Sequence, residues 1–149
     1  MTRTLLLLSV ILTLLGCPGD PPPAAPPPAE SSPEPTWVEL GKGLRYQDLV
    51  VGEGPKVEWG DTVLTHATGT FPDGSTFWSS YDDGQKVSFP IKEGSVIQGW
   101  VDGVQGMQVG GKRKLYVPWA LAYGEQGRPP TIPPKADLVF EIEVFEITK

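Results

Sequence analysis

The last part of the chain, residues 138–147, alternates apolar and polar side chains. Every second residue from Leu138 to Val144 is apolar, whereas Glu141 and Glu143 lie between them. Because successive side chains of a β-strand point to opposite faces, this pattern predicts a strand with one buried and one solvated face. Such strands are typical of an antiparallel sheet that packs on one side only.

Three further runs have the composition of strands and end at turn signals. Residues 43–51 end before a Gly-Glu-Gly-Pro turn, residues 62–71 end at Pro72-Asp73-Gly74, and residues 112–117 end at Pro118. Proline and glycine punctuate such runs because proline fixes φ and glycine tolerates positive φ. The pattern therefore predicts strands over these three ranges.

A helical period appears only over residues 97–107. Apolar side chains recur there at spacings of three and four, which places them on one face of a helix. That face would carry Ile97, Trp100, Val101, Val104 and Met107. A mostly antiparallel sheet with one short helix on its inner face predicts a fold of the α+β class.

Residues 1–16 predict a signal peptide and not a part of the fold. Arg3 is their only charged residue, and a mostly apolar run over residues 5–15 follows it. That length suits the apolar region of a secretory signal. It is shorter than the roughly 20 residues that a helix needs to span a bilayer.

Cys17 directly follows this segment and is the only cysteine of the chain, so no disulfide can form within the chain. The segment Leu14-Leu15-Gly16-Cys17 resembles a bacterial lipobox, in which the cysteine is acylated and becomes the mature N-terminus. We therefore predict a lipoprotein of the bacterial cell envelope, bound to the membrane through Cys17. The alternative is an ordinary secretory signal that happens to precede a cysteine.

The residue after Cys17 indicates which membrane carries the anchor. It is Pro18, and not the aspartate that retains enteric lipoproteins in the inner membrane. We therefore expect the outer membrane, with the protein facing the periplasm or the cell surface.

Residues 17–36 comprise this cysteine and a proline-rich tether. Nine of the chain's 17 prolines lie in residues 18–36, and such a segment has almost nothing apolar to bury. A polyproline spacer extends about 3.1 Å per residue, or roughly 50 Å in all. A ligand for a proline-recognising module is the alternative reading. Residues 37–149 hold all five tryptophans and predict one domain with one core.

Charge and residue content exclude several classes of function. A net charge of −6 argues against a nucleic-acid partner, because phosphate binding needs a basic face. The one basic run, residues 112–114, is predicted to be a solvated strand end. His66 is the only histidine, and with Cys17 assigned to lipid we expect no metal site, no Cys–His pair and no cofactor.

A glycine-rich stretch over residues 106–112 imitates a phosphate-binding loop as far as its lysine. Arg113 stands where that loop needs a serine or threonine to hold Mg²⁺. We therefore expect a reaction that needs no nucleophile, metal or phosphate site.

Four motifs follow one another in the second half of the chain. They are Asp73-Gly74-Ser75-Thr76-Phe77, Val96-Ile97-Gln98-Gly99-Trp100, Leu121-Ala122-Tyr123-Gly124 and Ile132-Pro133-Pro134-Lys135-Ala136-Asp137-Leu138-Val139-Phe140. In this order and spacing they resemble the FKBP-type peptidyl-prolyl cis-trans isomerases. The resemblance implies a twisted five-stranded antiparallel half-barrel wrapped around one short helix, in agreement with the predicted α+β class.

The resemblance also implies the residues of the site. The substrate proline would lie over the indole of Trp100, the hydroxyl of Tyr123 would donate to a substrate carbonyl, and Phe77 and Phe140 would complete the catalytic set. The matched wall positions are Val87, Val96, Ile97 and Ile132. Each of these residues has an alternative reading as plain core.

Two positions depart from the family pattern. Trp78 stands where the family usually has an aspartate, and Ala67 stands where it usually has a tyrosine. These two residues normally form the polar side of the pocket, so we expect weaker binding of macrolide inhibitors.

The resemblance implies an isomerase that acts on Xaa-Pro bonds of extracytoplasmic proteins and assists their folding, without a covalent intermediate. Its partners would be proline-containing polypeptides. The replaced polar side leaves open a second hypothesis, a non-catalytic chaperone or scaffold module that holds proline segments.

Overall fold

The computed structural model describes residues 36–149, which form one antiparallel sheet of seven strands and one short α-helix. The strands are β1 (Val38–Gly41), β2 (Leu44–Val50), β3 (Thr62–Thr70), β4 (Thr76–Ser79), β5 (Val87–Pro90), β6 (Lys112–Val117) and β7 (Leu138–Thr148). The helix α1 covers Gln98–Val104, and a 3₁₀ turn covers Trp119–Leu121. The predicted signal peptide, the predicted lipid site at Cys17 and nearly all of the predicted tether lie outside the described residues.

The two longest strands, β3 and β7, form the centre of the sheet. They pair in antiparallel register from Thr62 opposite Thr148 to Thr70 opposite Val139, with one irregularity after Leu64. The order of the main path is β1-β2-β6-β7-β3-β4, and β5 also pairs with β3. The alternation predicted for β7 is confirmed, because its apolar residues are buried in the core: Leu138, Phe140, Ile142 and Val144.

The predicted α+β class is confirmed, but the sheet has seven strands and not five. Two of the seven, β4 and β5, pair with opposite halves of β3 and are separated by residues 80–86. They therefore occupy the place of one interrupted strand. The other additional strand, β1, pairs with β2 as a hairpin. All its residues are exposed, so it carries no alternation that a sequence pattern could reveal.

The helix is shorter than the predicted range of residues 97–107. It ends at Val104 because Gln105 has extended backbone angles (φ −57°, ψ 134°) and Gly106 has φ +81°. Met107 is still buried, and its carbonyl accepts a hydrogen bond from the Val57 N–H at 2.8 Å. The apolar period therefore continues past the helix into a loop that packs on the same core.

Two glycines allow the helix to lie directly against β6. A Cβ atom added at Gly103 would come within 2.6 Å of both δ-carbons of Leu115, and one added at Gly99 would overlap the side chain of Val117. Residues four apart lie on the same helix face, so these two glycines form one contact surface. The buried side chain between them, Trp100, is thereby fixed relative to the sheet.

Arg113 adds a polar connection between the helix and the sheet. Its guanidinium donates to both carboxylate oxygens of Asp48 on β2, at 2.5 and 3.1 Å, and to the Gly103 carbonyl at 2.9 Å. The prediction of a solvated basic run is wrong at this position, because Arg113 is only 6% exposed. It points to the inner face of the sheet, whereas Lys112 and Lys114 point outward and pair with Glu141.

Two findings about the described part of the chain bear on function. No helix within residues 36–149 combines the length and the apolar character needed to cross a bilayer. The same residues contain no group of three His, Cys, Asp or Glu side chains arranged to hold a metal ion.

Substituting Gly103→Ala tests the close approach of helix and sheet. Alanine in an exposed helix stabilises relative to glycine by about 1 kcal/mol. Here we expect the opposite sign, a loss of about 1–3 kcal/mol in the free energy of unfolding, because the methyl group overpacks against Leu115. Urea unfolding measures this change, and the double variant with Leu115→Val should lose less than the sum of the two single changes. Stabilisation by Gly103→Ala would contradict the packing.

Candidate functional site

A cavity of about 1080 Å³ opens at one end of the helix. Strand β4 contributes two aromatic side chains to it, α1 contributes Trp100, and β7 contributes Phe140. The remaining walls come from residues 94–98, which lead into the helix, and residues 122–132, which lead toward β7. Segments far apart in sequence therefore meet around one concave, largely apolar surface.

Eight of the residues predicted for the site line this cavity. They are Phe77, Trp78, Val96, Ile97, Trp100, Tyr123, Ile132 and Phe140. The structure does not bring the other two predicted residues, Val87 and Ala67, to the cavity. Val87 lies on β5, half-buried against the core, and its carbonyl accepts a hydrogen bond from Thr65. Ala67 is fully buried on β3, opposite Ile142.

The indole of Trp100 lies at the centre of the cavity's aromatic side chains and is 5% exposed. The rings of Phe89 and Phe140 lie with their centroids 5.2 Å from it, and Phe140 meets it edge to face. The ring of Trp78 lies at 6.3 Å. These are favourable aromatic distances, and each contact adds about 0.5–1.5 kcal/mol beyond the area that it buries.

The indole N–H of Trp100 is buried and has no hydrogen-bond partner among residues 36–149. Leaving such a donor unpaired costs about 1–3 kcal/mol. Its surroundings are aromatic rings, so they offer at most weak N–H···π contacts. The fold therefore gives up some stability to keep this indole in an apolar setting.

The wall beside Trp100 depends on a glycine in β3. Phe77 packs edge to face on Phe140 with ring centroids 5.8 Å apart, and on Phe71 at 5.0 Å. A Cβ atom at Gly69 would lie 2.5 Å from Cζ of Phe77 and 3.0 Å from Cε1 of Phe140. Only glycine at this position lets both phenylalanine rings occupy the wall.

A hydrogen bond to a residue outside the cavity orients Trp78. This tryptophan stands where an aspartate is usual in the family. Its Nε1–H donates to the carboxylate of Asp83 at 3.0 Å, across the turn that follows β4. This bond satisfies the polar atom of the indole. The ring is left as an apolar wall of the cavity, so no carboxylate lines the cavity at this edge.

Two of the polar groups on the cavity wall that remain available to a ligand are neutral hydrogen-bond donors. The hydroxyl of Tyr123 and the backbone N–H of Ile97 make no hydrogen bond to any residue of the described part of the chain. Two tyrosines elsewhere differ from Tyr123, because Tyr81 donates to Glu143 at 2.9 Å and Tyr116 to Asp137 at 2.6 Å. Burial, together with the hydrogen bond to Glu143, raises the pKa of Tyr81 to about 12.

The position of Tyr123 is set by the 3₁₀ turn before it. The N–H groups of Ala122 and Gly124 both donate to the Trp119 carbonyl, at 3.1 and 2.8 Å. The carboxylate of Asp137 accepts from the Trp119 N–H at 2.9 Å and so fixes the turn to the start of β7. Tyr123 therefore lies between backbone groups that are held on both sides.

His66 lies away from the cavity and has a structural environment. Its Nδ1 is 2.8 Å from Oγ of Ser80, which also accepts from the Ala67 N–H, and its ring stacks on Tyr81 at 4.3 Å. The described residues that line the cavity include no histidine, cysteine or carboxylate. The arrangement can bind an apolar ring and offer hydrogen bonds to carbonyl groups, but it has no acid–base pair.

Sequence reasoning missed half of the cavity lining. The missed residues are Gly94, Ser95, Gln98, Ala122, Arg128, Pro129, Pro130 and Thr131. Two of them, Gln98 and Ala122, lie within recognised motifs, and Ser95 and Thr131 each directly precede one. Residues 128–131 connect the motif of Tyr123 to that of Ile132. Position between two site motifs was therefore a usable signal.

Comparison with known proteins gives the same assignment as the motifs. The family description "FKBP-type peptidyl-prolyl cis-trans isomerase" matches residues 54–145. This range contains every cavity-lining residue and all strands except β1, β2 and the last three residues of β7.

Individual relatives support the same family assignment. Peptidyl-prolyl cis-trans isomerase FPR2 of Saccharomyces cerevisiae is 51% identical over 113 residues, which cover 74% of this chain and 81% of that protein. FK506-binding protein 4 of Dictyostelium discoideum is 44% identical over 77% of this chain, but the chain spans only 31% of its length.

The crystal structure of AtFKBP13 superposes with a TM-score of 0.70 at 36% identity, over 76% of this chain and 99% of that one. The predicted family and the predicted fold are thus both confirmed. This chain belongs to the FKBP-type peptidyl-prolyl cis-trans isomerase family.

Proposed function

We propose that this chain catalyses rotation about Xaa-Pro bonds in polypeptides at the bacterial cell envelope and assists their folding there. The observation that carries the catalytic part is the cavity itself. The buried indole of Trp100 forms part of its surface, and two unpaired donors, the Tyr123 hydroxyl and the Ile97 N–H, lie on its walls. Family membership supports the same activity.

Rotation about an Xaa-Pro bond faces a barrier of about 18–20 kcal/mol, because amide resonance keeps the bond planar. In the twisted transition state the resonance is lost, and with it part of the charge separation between oxygen and nitrogen. Water stabilises the planar, more polar ground state. A dry cavity removes that water and so favours the twisted form relative to the planar one.

Different residues of the cavity have different roles in this mechanism. Trp100 supports the pyrrolidine ring, and Phe77 and Phe140 exclude water on one side. The Tyr123 hydroxyl and the Ile97 N–H hold carbonyl groups of the substrate and so fix the chain on either side of the rotating bond. No covalent bond forms or breaks, which agrees with a cavity that has no nucleophile or acid–base pair.

A second candidate function has one specific observation in its favour. Trp78 places an aromatic wall where the family usually has a carboxylate, and its indole N–H is already satisfied by Asp83. Such a wall suits retention of proline segments without turnover. A binding module of this kind would hold proline-rich peptides and leave their rate of isomerisation unchanged.

The envelope location rests on the N-terminal sequence. Residues 1–16 have the features of a signal peptide, and Cys17 ends a lipobox-like segment. Stable anchoring needs more than one acyl chain, and bacterial lipoprotein modification supplies several. The proline-rich tether that follows would keep the isomerase domain away from the membrane surface.

Replacing Cys17→Ser tests the lipid anchor. We expect radioactive palmitate supplied to expressing cells to label the wild-type chain and not the variant, because the thiol is the point of attachment. In membrane fractionation, the variant should then appear in the soluble fraction. Equal labelling of both proteins would contradict the anchor.

Macrolide binding tests the effect of Trp78 and Ala67, the two positions that depart from the family pattern. The Dictyostelium relative is named as an FK506-binding protein, and we propose that this chain binds such macrolides weakly. The double variant Trp78→Asp with Ala67→Tyr restores the usual pair and should bind FK506 about three- to tenfold more tightly, the effect of about one added hydrogen bond. Calorimetric titration measures this affinity.

The single variant Ala67→Tyr is the matched control for this experiment. Ala67 has no exposed surface, so the larger ring overpacks the core unless Trp78 is also reduced in size. We expect the single variant to be less stable and to bind no better than wild type. Unchanged affinity in a folded double variant would show that these two positions do not limit macrolide binding.

Tyr123→Phe tests the catalytic role of the free hydroxyl. Removing one neutral hydrogen bond should lower kcat/KM on an Ala-Pro peptide about two- to tenfold while leaving the free energy of unfolding unchanged. Tyr81→Phe removes a hydroxyl that points to Glu143, outside the cavity, and should leave kcat/KM as it is. Equal rates for wild type and Tyr123→Phe would remove the hydroxyl from the site.

A further inference from the structure

Arg128 is the one charged side chain among the described residues that line the cavity. All the other lining residues are apolar, aromatic or neutral polar, and the chain as a whole carries a net charge of −6. A single positive group on the wall of an apolar cavity in an acidic protein is not explained by the isomerisation mechanism, which uses no charge.

The guanidinium of Arg128 has no anionic partner within residues 36–149. The structure gives it no ion pair and no side-chain hydrogen bond within the described residues, and its Cζ lies over the Tyr123 ring, 5.9 Å from the ring centroid. The nearest carboxylate in sequence, Glu125, pairs with Lys135 at 3.6 Å instead. The positive charge is therefore free to meet a ligand beside the tyrosine that is proposed to contact the substrate.

The backbone holds Arg128 firmly in this place. Its N–H donates to the Ile132 carbonyl at 2.8 Å, and its carbonyl accepts from the Ile132 N–H at 2.9 Å, which closes the loop over residues 128–132. Gly127 before it has φ +64°, and a Cβ atom there would lie 2.5 Å from the Ile132 carbonyl oxygen. The base of the loop is the buried Ile132 of the cavity wall.

The acidic groups near the cavity do not neutralise this charge. Asp83 accepts the indole N–H of Trp78, and Asp102 accepts from the side chain of Gln98 at 2.8 Å. Glu93 precedes the lining residue Gly94, but its own side chain does not line the cavity. The charge that a bound peptide meets within the cavity is thus positive.

We propose that Arg128 is a specificity-determining residue that selects substrates with a carboxylate side chain directly before or directly after the proline. This inference rests on the proposed isomerase function and names its preferred substrate class. An exposed ion pair of this kind contributes modestly, so we expect a preference of about two- to fivefold in kcat/KM for an acidic peptide over its neutral counterpart.

The experiment uses the full chain in detergent and proline peptides that differ at one position. In one series Glu, Gln or Lys precedes the proline, and in the other the same three residues follow it. Exchange NMR gives kcat/KM for each peptide, and chemical-shift changes in the same samples give its affinity. We expect Glu to exceed Gln and Gln to exceed Lys in at least one series, with the preference shrinking as salt is raised.

Variants of one residue identify the source of this preference. The Glu-to-Gln ratio of kcat/KM should fall to about one in Arg128→Gln, persist in Arg128→Lys, and reverse in favour of Lys in Arg128→Glu. Arg45→Gln removes one positive charge from a side chain that lies over Trp37 and Tyr116 and does not line the cavity. It should keep the wild-type ratio.

Measuring both rate and affinity distinguishes a failure of the role proposed for Arg128 from a failure of the proposed isomerase function. Isomerisation with equal rates for Glu and Gln peptides in both series, or a preference that survives Arg128→Gln, would overturn the role of Arg128. Absence of isomerisation together with tighter binding of Glu peptides that Arg128→Gln abolishes would overturn only the catalytic function. Neither isomerisation nor any preference in binding would overturn both.

Discussion

The position of the helix against β6 is the constraint on which the rest of the structure depends. Gly99 and Gly103 have no side chains, so the helix can lie directly against the strand. Arg113 on β6 also holds the helix to the sheet by donating to the Gly103 carbonyl. Trp100 lies between these glycines, so its indole is placed by the packing of the backbone and not by a hydrogen bond of its own. The site is therefore as rigid as the contact between helix and sheet.

That rigidity explains how a cavity lined mostly by apolar groups can serve a reaction. The rings around Trp100 cannot act as acids, bases or nucleophiles, but they exclude water from a bond whose rotation is hindered by charge-separated resonance. The unpaired indole N–H is a cost of about 1–3 kcal/mol to stability. Two of the polar groups on the cavity wall, the Tyr123 hydroxyl and the Ile97 N–H, make no hydrogen bond to any residue of the described part of the chain.

The sequence predicted what depends on local periodicity and on motifs. The alternation in β7 identified a buried face, and ordered motifs identified eight cavity residues. It did not predict β1, which has no buried face, nor the division of one strand into β4 and β5, which depends on pairing with β3. Burial of Arg113 also escaped prediction, because its partner Asp48 is distant in sequence. The place of Arg128 on the cavity wall was not predicted either, because it depends on the hydrogen bonds that close the loop over residues 128–132.

The central claim is that this cavity accelerates rotation and does not merely hold proline. The most direct test is two-dimensional exchange NMR of an Ala-Pro peptide in large excess over residues 37–149. Uncatalysed isomerisation takes about 10–100 s at 25 °C. We expect exchange cross-peaks between cis and trans resonances at mixing times of about 1 s. Peptide resonances that shift on binding but show no such cross-peaks would contradict it and identify a binding module instead.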